Sequence, residues 1–330
     1  MTDNRVAIGI IGAGIMGQRF LRGMLDGAPD LVRVAGIWDP SEGAMTRFTV
    51  AFPSVPCLAD AAAVTAASDC VYIASPPASH LGYARAALAA GKTAFSEKPL
   101  AVDLADARAF VAEAGGRVAV NFPFASSVAV ERLKGWIESG AIGRPERLRI
   151  EVAFATWPRG WQADAASWLD APGEGGFTRE VVSHFLFLSR RLLGPLTGLA
   201  AEAAFPEAGR AEREISATLR AGDVPVELVG HVGRTDRDDH NTWTLEGSAG
   251  AIRLRDWGIA ERRAPDGSWV AEGDIAATSR DAERMRALAG QLQGVAALAN
   301  GRPHHLATVA EAFDVQAIVE AILASRRKAG

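Results

Sequence analysis

The sequence predicts an α/β protein in two parts. Residues 1–122 read as an N-terminal doubly wound parallel sheet, and residues 123–330 as a C-terminal α+β domain with a largely antiparallel, open sheet. Three observations carry this. Short, continuously apolar runs alternate with amphipathic stretches as far as residue 122. A glycine-rich turn, Gly12-Ala13-Gly14-Ile15-Met16-Gly17, closes the first run and opens the first amphipathic stretch. Beyond residue 123 the alternation gives way to strand-like runs, often separated by turn signals.

In the first part the apolar runs are 6–11, 32–38, 70–74, 93–96 and 118–121, and the helix-like stretches are 15–25, 41–51, 80–90 and 104–113. Unbroken apolar runs imply strands buried on both faces, and helices between them imply parallel crossovers. Ligands of such a sheet bind at the carboxyl ends of its strands. In the glycine turn, Gly12 permits the tight bend, Gly14 lets a pyrophosphate approach the backbone, and Gly17 lets helix and strand pack closely. The helix N-terminus at Ile15 and Met16 then offers free N–H groups and a positive dipole to a diphosphate. This is the pattern of a dinucleotide-binding (Rossmann) domain. Asp39 ends the second strand, where a carboxylate takes the ribose hydroxyls and repels a 2′-phosphate, favouring NAD over NADP. Asp39 also reads as an acid at a helix start, since Pro40 and Ser41 follow, and both roles can hold together. Ser75 and Pro76 follow the strand at 70–74 and should line the nucleotide site. His80 opens a helix, where capping or packing competes with cofactor contact.

The stretch "TAFSEKPLA" at 93–101 places Lys98 between Glu97 and Pro99 at a strand end. Proline holds the residue before it in extended geometry, so Lys98 is displayed at the mouth of the sheet. Neighbouring strand residues face opposite ways, which disfavours a simple Glu97–Lys98 pair.

In the second part the strand-like runs are 147–154, 215–220, 226–232, 242–246 and 251–255, with Gly247-Ser248-Ala249-Gly250 as a hairpin connection. Met285, Leu288, Leu292, Val295 and Leu298 keep helical spacing, and Thr308 and Glu311 form a capping box before the last helix, which is expected to be able to return to the first domain.

Composition narrows the function classes. A net charge of −4 gives no basic field for phosphate backbones, which argues against nucleic acid as a partner. No apolar run reaches membrane-spanning length, and the chain starts without a basic, then apolar, leader pattern. Two cysteines, Cys57 and Cys70, make no metal pattern and suit a reducing compartment. The expectation is a cytoplasmic protein without a metal site.

Three segments resemble one family. Residues 74–101, "ASPPASHLGYARAALAAGKTAFSEKPLA", resemble the strand–helix–strand of the glucose-fructose oxidoreductase/inositol dehydrogenase (Gfo/Idh/MocA) family, whose hallmark is a Glu-Lys-Pro motif, here Glu97-Lys98-Pro99. Residues 131–152 are similar to its link between domains. Residues 173–194 resemble its substrate-domain helix, which carries Asp and His four residues apart. The resemblance implies NAD as cofactor, Lys98 beside the nicotinamide and the reacting hydroxyl, and Glu97 in the cofactor set. It also implies a Lys98–Pro99 cis peptide, and assembly as a homodimer or homotetramer through the open sheet face. Here Glu180 and His184 hold the paired positions; the family usually has Asp at the first of them and often Gly where Val182 stands. At i and i+4 they share a helix face, and His184 with Glu180 is the expected acid–base pair beside Lys98.

Trp157, Arg159, Trp161, Trp168 and Arg179 cluster ahead of this helix, and Asn121 ends a strand. Tryptophan faces suit the C–H faces of sugars, and arginine suits hydroxyls or carboxylates; a loop packed by its own aromatics would look the same. The reading is an NAD-dependent oxidoreductase of a sugar, polyol or related compound. A non-catalytic NAD(P)-binding sensor, or a reductase of non-sugar carbonyls or imines, are the alternatives.

Overall fold

The computed structural model describes residues 3–237, 239–271 and 280–326. In chain order the elements are β1 (Val6–Ile11), α1 (Ile15–Gly27), β2 (Val32–Trp38), α2 (Glu42–Ala51), α3 (Ala61–Ala67), β3 (Cys70–Ile73), α4 (His80–Ala89), β4 (Thr93–Glu97), α5 (Leu104–Glu113) and β5 (Val118–Asn121). There follow α6 (Val128–Glu138), β6 (Pro145–Phe154), α7 (Ala166–Leu169), α8 (Ser183–Leu193), β7 (Leu196–Ala204), β8 (Glu214–Ala221), β9 (Val224–Val232) and β10 (His240–Gly247). The chain continues with β11 (Gly250–Arg255), β12 (Ile259–Arg263), β13 (Trp269–Ala271), α9 (Arg280–Ala299), β14 (Ala307–Thr308) and α10 (Val309–Ala324).

Two compact units result. The first comprises Met1–Ser126 with Arg284–Phe313, and the second Ser127–Glu283 with Asp314–Gly330. The first is therefore not one continuous stretch: most of α9 and the short β14 join it from far along the chain.

The sheet of the first unit has the order β14-β5-β4-β3-β1-β2. β1 to β5 are mutually parallel, and β14 adds antiparallel to β5. The connections turn back at β1, with β2 on one side and β3 on the other, and such a reversal opens a crevice at the strands' carboxyl ends. Every residue of β1, β3, β4 and β5 is buried, as runs covered on both faces require. Ile8, Ile10, Tyr72 and Phe95 from the strands pack with Phe20, Leu21 and Met24 of α1 and with Leu288, Leu292 and Val295 of α9. Each such side chain contributes about 1.5–3 kcal/mol on burial. Phe20 stacks on Tyr72 at 3.9 Å between ring centroids, and Gly23 lies so close to Leu288 that a Cβ there would overlap it.

The second unit has an eight-stranded sheet in the order β13-β12-β11-β10-β6-β9-β8-β7. All its pairs are antiparallel except β6 with β9. β8 alternates buried and exposed residues along its length, the signature of a sheet covered on one face. α8 supplies cover: Trp243 of β10 is fully buried and donates through Nε1 to Ser189 Oγ at 2.9 Å. The predicted hairpin is present, with Gly247 opposite Gly250 across a two-residue turn.

Among the described residues, four strands (β7, β12, β13 and β14) and three helices (α3, α6 and α7) were not expected from sequence. β7, Leu-Thr-Gly-Leu-Ala-Ala-Glu-Ala-Ala, is rich in alanine and lacks β-branched alternation; its pairing with β8 makes it a strand. β12, Ile-Ala-Glu-Arg-Arg, is short and largely polar, β13 is an edge strand of only three residues, and α3 is two turns of mostly alanine capped by Asp60.

Candidate active site

The first unit builds a nucleotide cradle from backbone. Gly12 has φ 112°, and a Cβ there would stand 2.5 Å from the Ala74 carbonyl oxygen. A Cβ on Gly17 would strike the Gly12 carbonyl, so strand and helix meet at van der Waals distance there. Gly14 differs from both: nothing lies within 4 Å of where its Cβ would be. The only glycine of the three that the fold itself does not need for space is the one a diphosphate would approach. It is also the N-cap of α1, which has no side-chain cap, so the first N–H groups of the helix are left to a ligand. Ile15, 40% exposed, and Met16, half-buried, form the first turn of that helix.

Asp39 secures this loop. Its Oδ2 accepts from Ala13 N at 2.8 Å and its Oδ1 from Ser41 N at 2.9 Å, while Ser41 itself caps α2. Gln18 adds a bond from Nε2 to the Ala13 carbonyl at 2.8 Å. These residues fit an NAD: glycine backbone for the diphosphate and a half-buried carboxylate for the ribose diol. Pro76 is exposed, and Ser75 shares a hydrogen bond with Ser79 at 2.7 Å between their Oγ atoms. His80 is 1% exposed, its Nδ1 at 2.8 Å from the Pro99 carbonyl and its Nε2 at 2.8 Å from the Ser75 carbonyl. It ties the loop after β3 to the loop after β4.

Lys98 sits half-buried in that second loop, and the Lys98–Pro99 peptide is cis. Glu97, just before it, turns inward. Tyr72 donates to Glu97 Oε1, Asn121 Nδ2 donates to the same oxygen at 2.7 Å, and Gln291 of α9 donates to Asn121 Oδ1. Burial, reinforced by the Glu97 carboxylate, pushes the Tyr72 hydroxyl well above the usual tyrosine range, so it stays a donor. Glu97 and Asn121, named from sequence as cofactor and substrate contacts, are thus 8% and 3% exposed members of one internal chain of hydrogen bonds. Tyr72 and Gln291 were not singled out from sequence. The available signals were a phenol inside an apolar run and a glutamine within the apolar stripe of α9.

In the second unit, Thr178–Val182 form a π-helical turn that runs into α8. The sequence expectation of α-helical i,i+4 spacing for Glu180 and His184 therefore meets a wider turn, which rotates Glu180 relative to an α-helix. Such insertions recur at functional sites. Glu180 is half-buried in the π turn, and His184, 7% exposed, is the second residue of α8. The His184 ring meets Trp257 edge-on, with centroids 5.4 Å apart and planes at 74°; Phe185 touches the same indole.

The tryptophans and arginines ahead of α8 divide into two groups. Arg179 is held inside, bidentate to Glu320 at 2.7 and 2.6 Å and bonded to the carbonyls of Pro172 and Gly175. Arg159 is ion-paired with buried Asp239 at 3.0 Å, bonded to Gln162, and lies over the rings of Trp157 and Trp161. Trp157 is 6% exposed, its indole N–H on the Leu169 carbonyl at 3.2 Å. Trp161 and Trp168 are 48% and 39% exposed and present ring surface to solvent.

Comparison with known proteins agrees with this geometry. Residues 6–122 match the Gfo/Idh/MocA profile described as an oxidoreductase family with an NAD-binding Rossmann fold, and residues 130–253 match the C-terminal domain profile of the same family. The D-apiose dehydrogenase of Paraburkholderia graminis is 27% identical over 265 residues, covering 77% of this chain and 68% of that protein. An inositol 2-dehydrogenase of Acidothermus cellulolyticus is 39% identical over 155 residues, 44% of each chain. In fold, the chain resembles an oxidoreductase from Agrobacterium radiobacter solved with NAD+, L-tartaric acid and magnesium. The TM-score is 0.81 at 22% identity, over 98% of this chain and 96% of that one.

Proposed function

This chain belongs to the Gfo/Idh/MocA family of NAD-binding oxidoreductases, and we propose that it oxidises a secondary alcohol of a sugar or cyclic polyol, or runs the reverse reduction. The observation that carries this reading is the retention of Lys98 in the loop tied down by His80, together with a nucleotide cradle whose open position is Gly14. Relatives named for apiose and inositol support the substrate class.

NAD, when bound, accepts the hydride from the substrate carbon or returns it. Backbone N–H groups at the start of α1 bind the diphosphate, and Asp39 takes the ribose hydroxyls. The Lys98 ammonium stabilises negative charge growing on the substrate oxygen, a preorganised electrostatic contribution of the kind that usually dominates catalysis. His184 accepts the hydroxyl proton in oxidation and gives it back in reduction. Glu180 orients the imidazole. Trp161 and Trp168 offer exposed ring surface for sugar C–H faces. Arg159, Arg179 and Trp157, engaged internally, support the loop that carries those two rings and the start of α8.

A homodimer or homotetramer would form through the open face of the eight-stranded sheet, and light scattering on the purified protein measures it. Among the described residues no helix is long and apolar enough to cross a membrane. A cytoplasmic location suits the free thiols of Cys57 and Cys70.

The test is a screen of sugars and polyols, beginning with inositol and apiose, followed by absorbance of the reduced nicotinamide in both directions. Lys98→Met, which keeps the apolar stem and removes the charge, should abolish turnover while leaving NAD affinity within about threefold, because the diphosphate contacts are backbone groups. His184→Ala should lose ~10²–10⁴-fold in kcat. NAD binding without turnover of any sugar or polyol would instead favour a sensor.

A further inference from the structure

Trp257 stands in the turn between β11 and β12 with φ 75°, directly after Asp256 with φ 47°. The register pairs Arg255 with Ile259 and leaves a three-residue connection. Its first two residues have the positive φ that a type I′ turn needs at both centres, where Asn or Asp is favoured first and Gly second. Asp256 fits its place. Tryptophan does not fit the next one, since left-handed backbone is an outlier for a bulky side chain and persists only where the surroundings enforce it. Gly258, which would have suited that position, comes one residue later.

The surroundings do enforce it. The Asp256 carboxylate is buried between Arg237 at 2.8 Å and Arg255 at 3.3 Å, and Asp256 N donates to the Asn241 carbonyl at 2.9 Å. This restraint holds a half-buried indole against His184 and Phe185. Strain of this kind, maintained to aim one side chain, is characteristic of ligand-binding positions.

We propose that Trp257 is a substrate-binding residue, whose indole receives the C–H face of a cyclic polyol or pyranoid ring beside His184. The inference rests on the reading of His184 as proton acceptor given above. A ring presents a rigid apolar face to an indole. An open-chain polyol of the same carbon number has no such face, so Trp257 favours ring over chain.

Trp257→Gly separates this role from packing, because glycine suits the turn's backbone better than tryptophan does. Thermal stability, KM for NAD, and kcat and KM for inositol and open-chain sorbitol are measured on the unaltered protein, Trp257→Gly and Trp257→Phe. The expected result for Trp257→Gly is an equal or higher Tm and a KM for NAD within about twofold, with KM for inositol raised about tenfold and that for sorbitol changed far less. Trp257→Phe, which keeps an aromatic face, should recover most of the loss. An inositol KM within about twofold of the unaltered protein would overturn the inference and leave the proposed function standing. A fall in Tm with every kinetic constant moving together would mark Trp257 as a packing residue and also overturn it. If the unaltered protein oxidises neither inositol, sorbitol nor any other sugar or polyol of the screen, the proposed function fails, and this inference fails with it.

Discussion

Asp39 uses each carboxylate oxygen once on the main chain, at Ala13 N and Ser41 N, and each keeps a second acceptor position for a ribose hydroxyl. The two readings its sequence position allowed are thus combined in one side chain. Asp39→Ser removes both the charge that repels a 2′-phosphate and a charge-assisted bond worth about 1.5–3 kcal/mol, so the NAD over NADP ratio of kcat/KM should fall at least about tenfold. Equal use of both cofactors by the unaltered protein would refute the assignment. His80 gives a pH prediction. Its two nitrogens face two carbonyl oxygens, which only the doubly protonated ring could serve as donor to both. Burial opposes that charge and prevails; the two carbonyls pull the other way, and Lys98 adds to the lowering, leaving the pKa below its usual 6.5. A pKa depressed on folding means the unfolded chain binds the proton first. The stability contributed is present above the usual value and is lost as pH falls below it. Thermal unfolding should show Tm falling between about pH 7.5 and about pH 5.5 more steeply in the unaltered protein than in His80→Gln. Parallel slopes would show that His80 does not titrate with unfolding. Lys98 and His80 could be picked out of the sequence because proline and helix-start chemistry act on the nearest residues. Tyr72, Gln291 and Trp257 could not, because each is defined by a partner 25 or more residues away, or by a backbone angle.

At the scale of elements, the approach to α8 is braced by buried polar contacts. Glu212, fully buried, accepts from Thr178 N at 2.7 Å, and burial raises its carboxyl above the usual range. One residue later, Arg179 fastens the π turn to Glu320 of α10 and to the two carbonyls before it. Arg179→Met keeps much of the stem but leaves Glu320 without this partner and the Pro172 and buried Gly175 carbonyls without this donor. Breaking a buried pair costs about 3–5 kcal/mol; since Glu320 is 23% exposed, the loss in urea unfolding should lie at or below the lower end. kcat should fall as well, because the turn that carries Glu180 loosens. A stability loss under about 1 kcal/mol would show that the clamp is dispensable. β1, β3, β4 and β5 were legible because burial on both faces leaves an unbroken apolar run, whereas the two residues of β14 leave no run to read. The π turn was not, because residue spacing does not reveal which carbonyl each N–H will choose. β7 escaped notice for a related reason: alanine carries little strand preference, and its neighbour β8 decides the matter.

Across the whole molecule, the first unit is completed by residues from the far end of the sequence. Leu292 and Val295 of α9 are fully buried in the core that also holds Ile8, Phe20 and Tyr72, and Gln291 ends the hydrogen-bond chain that begins at Glu97. Leu292→Ala should therefore cost about 2–5 kcal/mol in denaturant unfolding and weaken NAD binding, although residue 292 lies far outside the matched nucleotide-binding segment 6–122. Unchanged NAD affinity with the full loss of stability would show that the cradle does not depend on α9. By itself the sequence determined the doubly wound sheet, the glycine cradle with its acidic partner, the display of Lys98 and a mainly antiparallel second sheet. Those features follow from local chemistry: apolar period, glycine and proline geometry, and helix ends. The tertiary structure alone decided that α9 belongs to the first core, that Glu97 and Asn121 bond to each other, that Arg159 and Arg179 are engaged internally, and that Trp257 rests on His184. Each of these is a choice among polar or apolar partners distant in the chain, and only packing, which must satisfy buried donors and fill space at once, makes that choice.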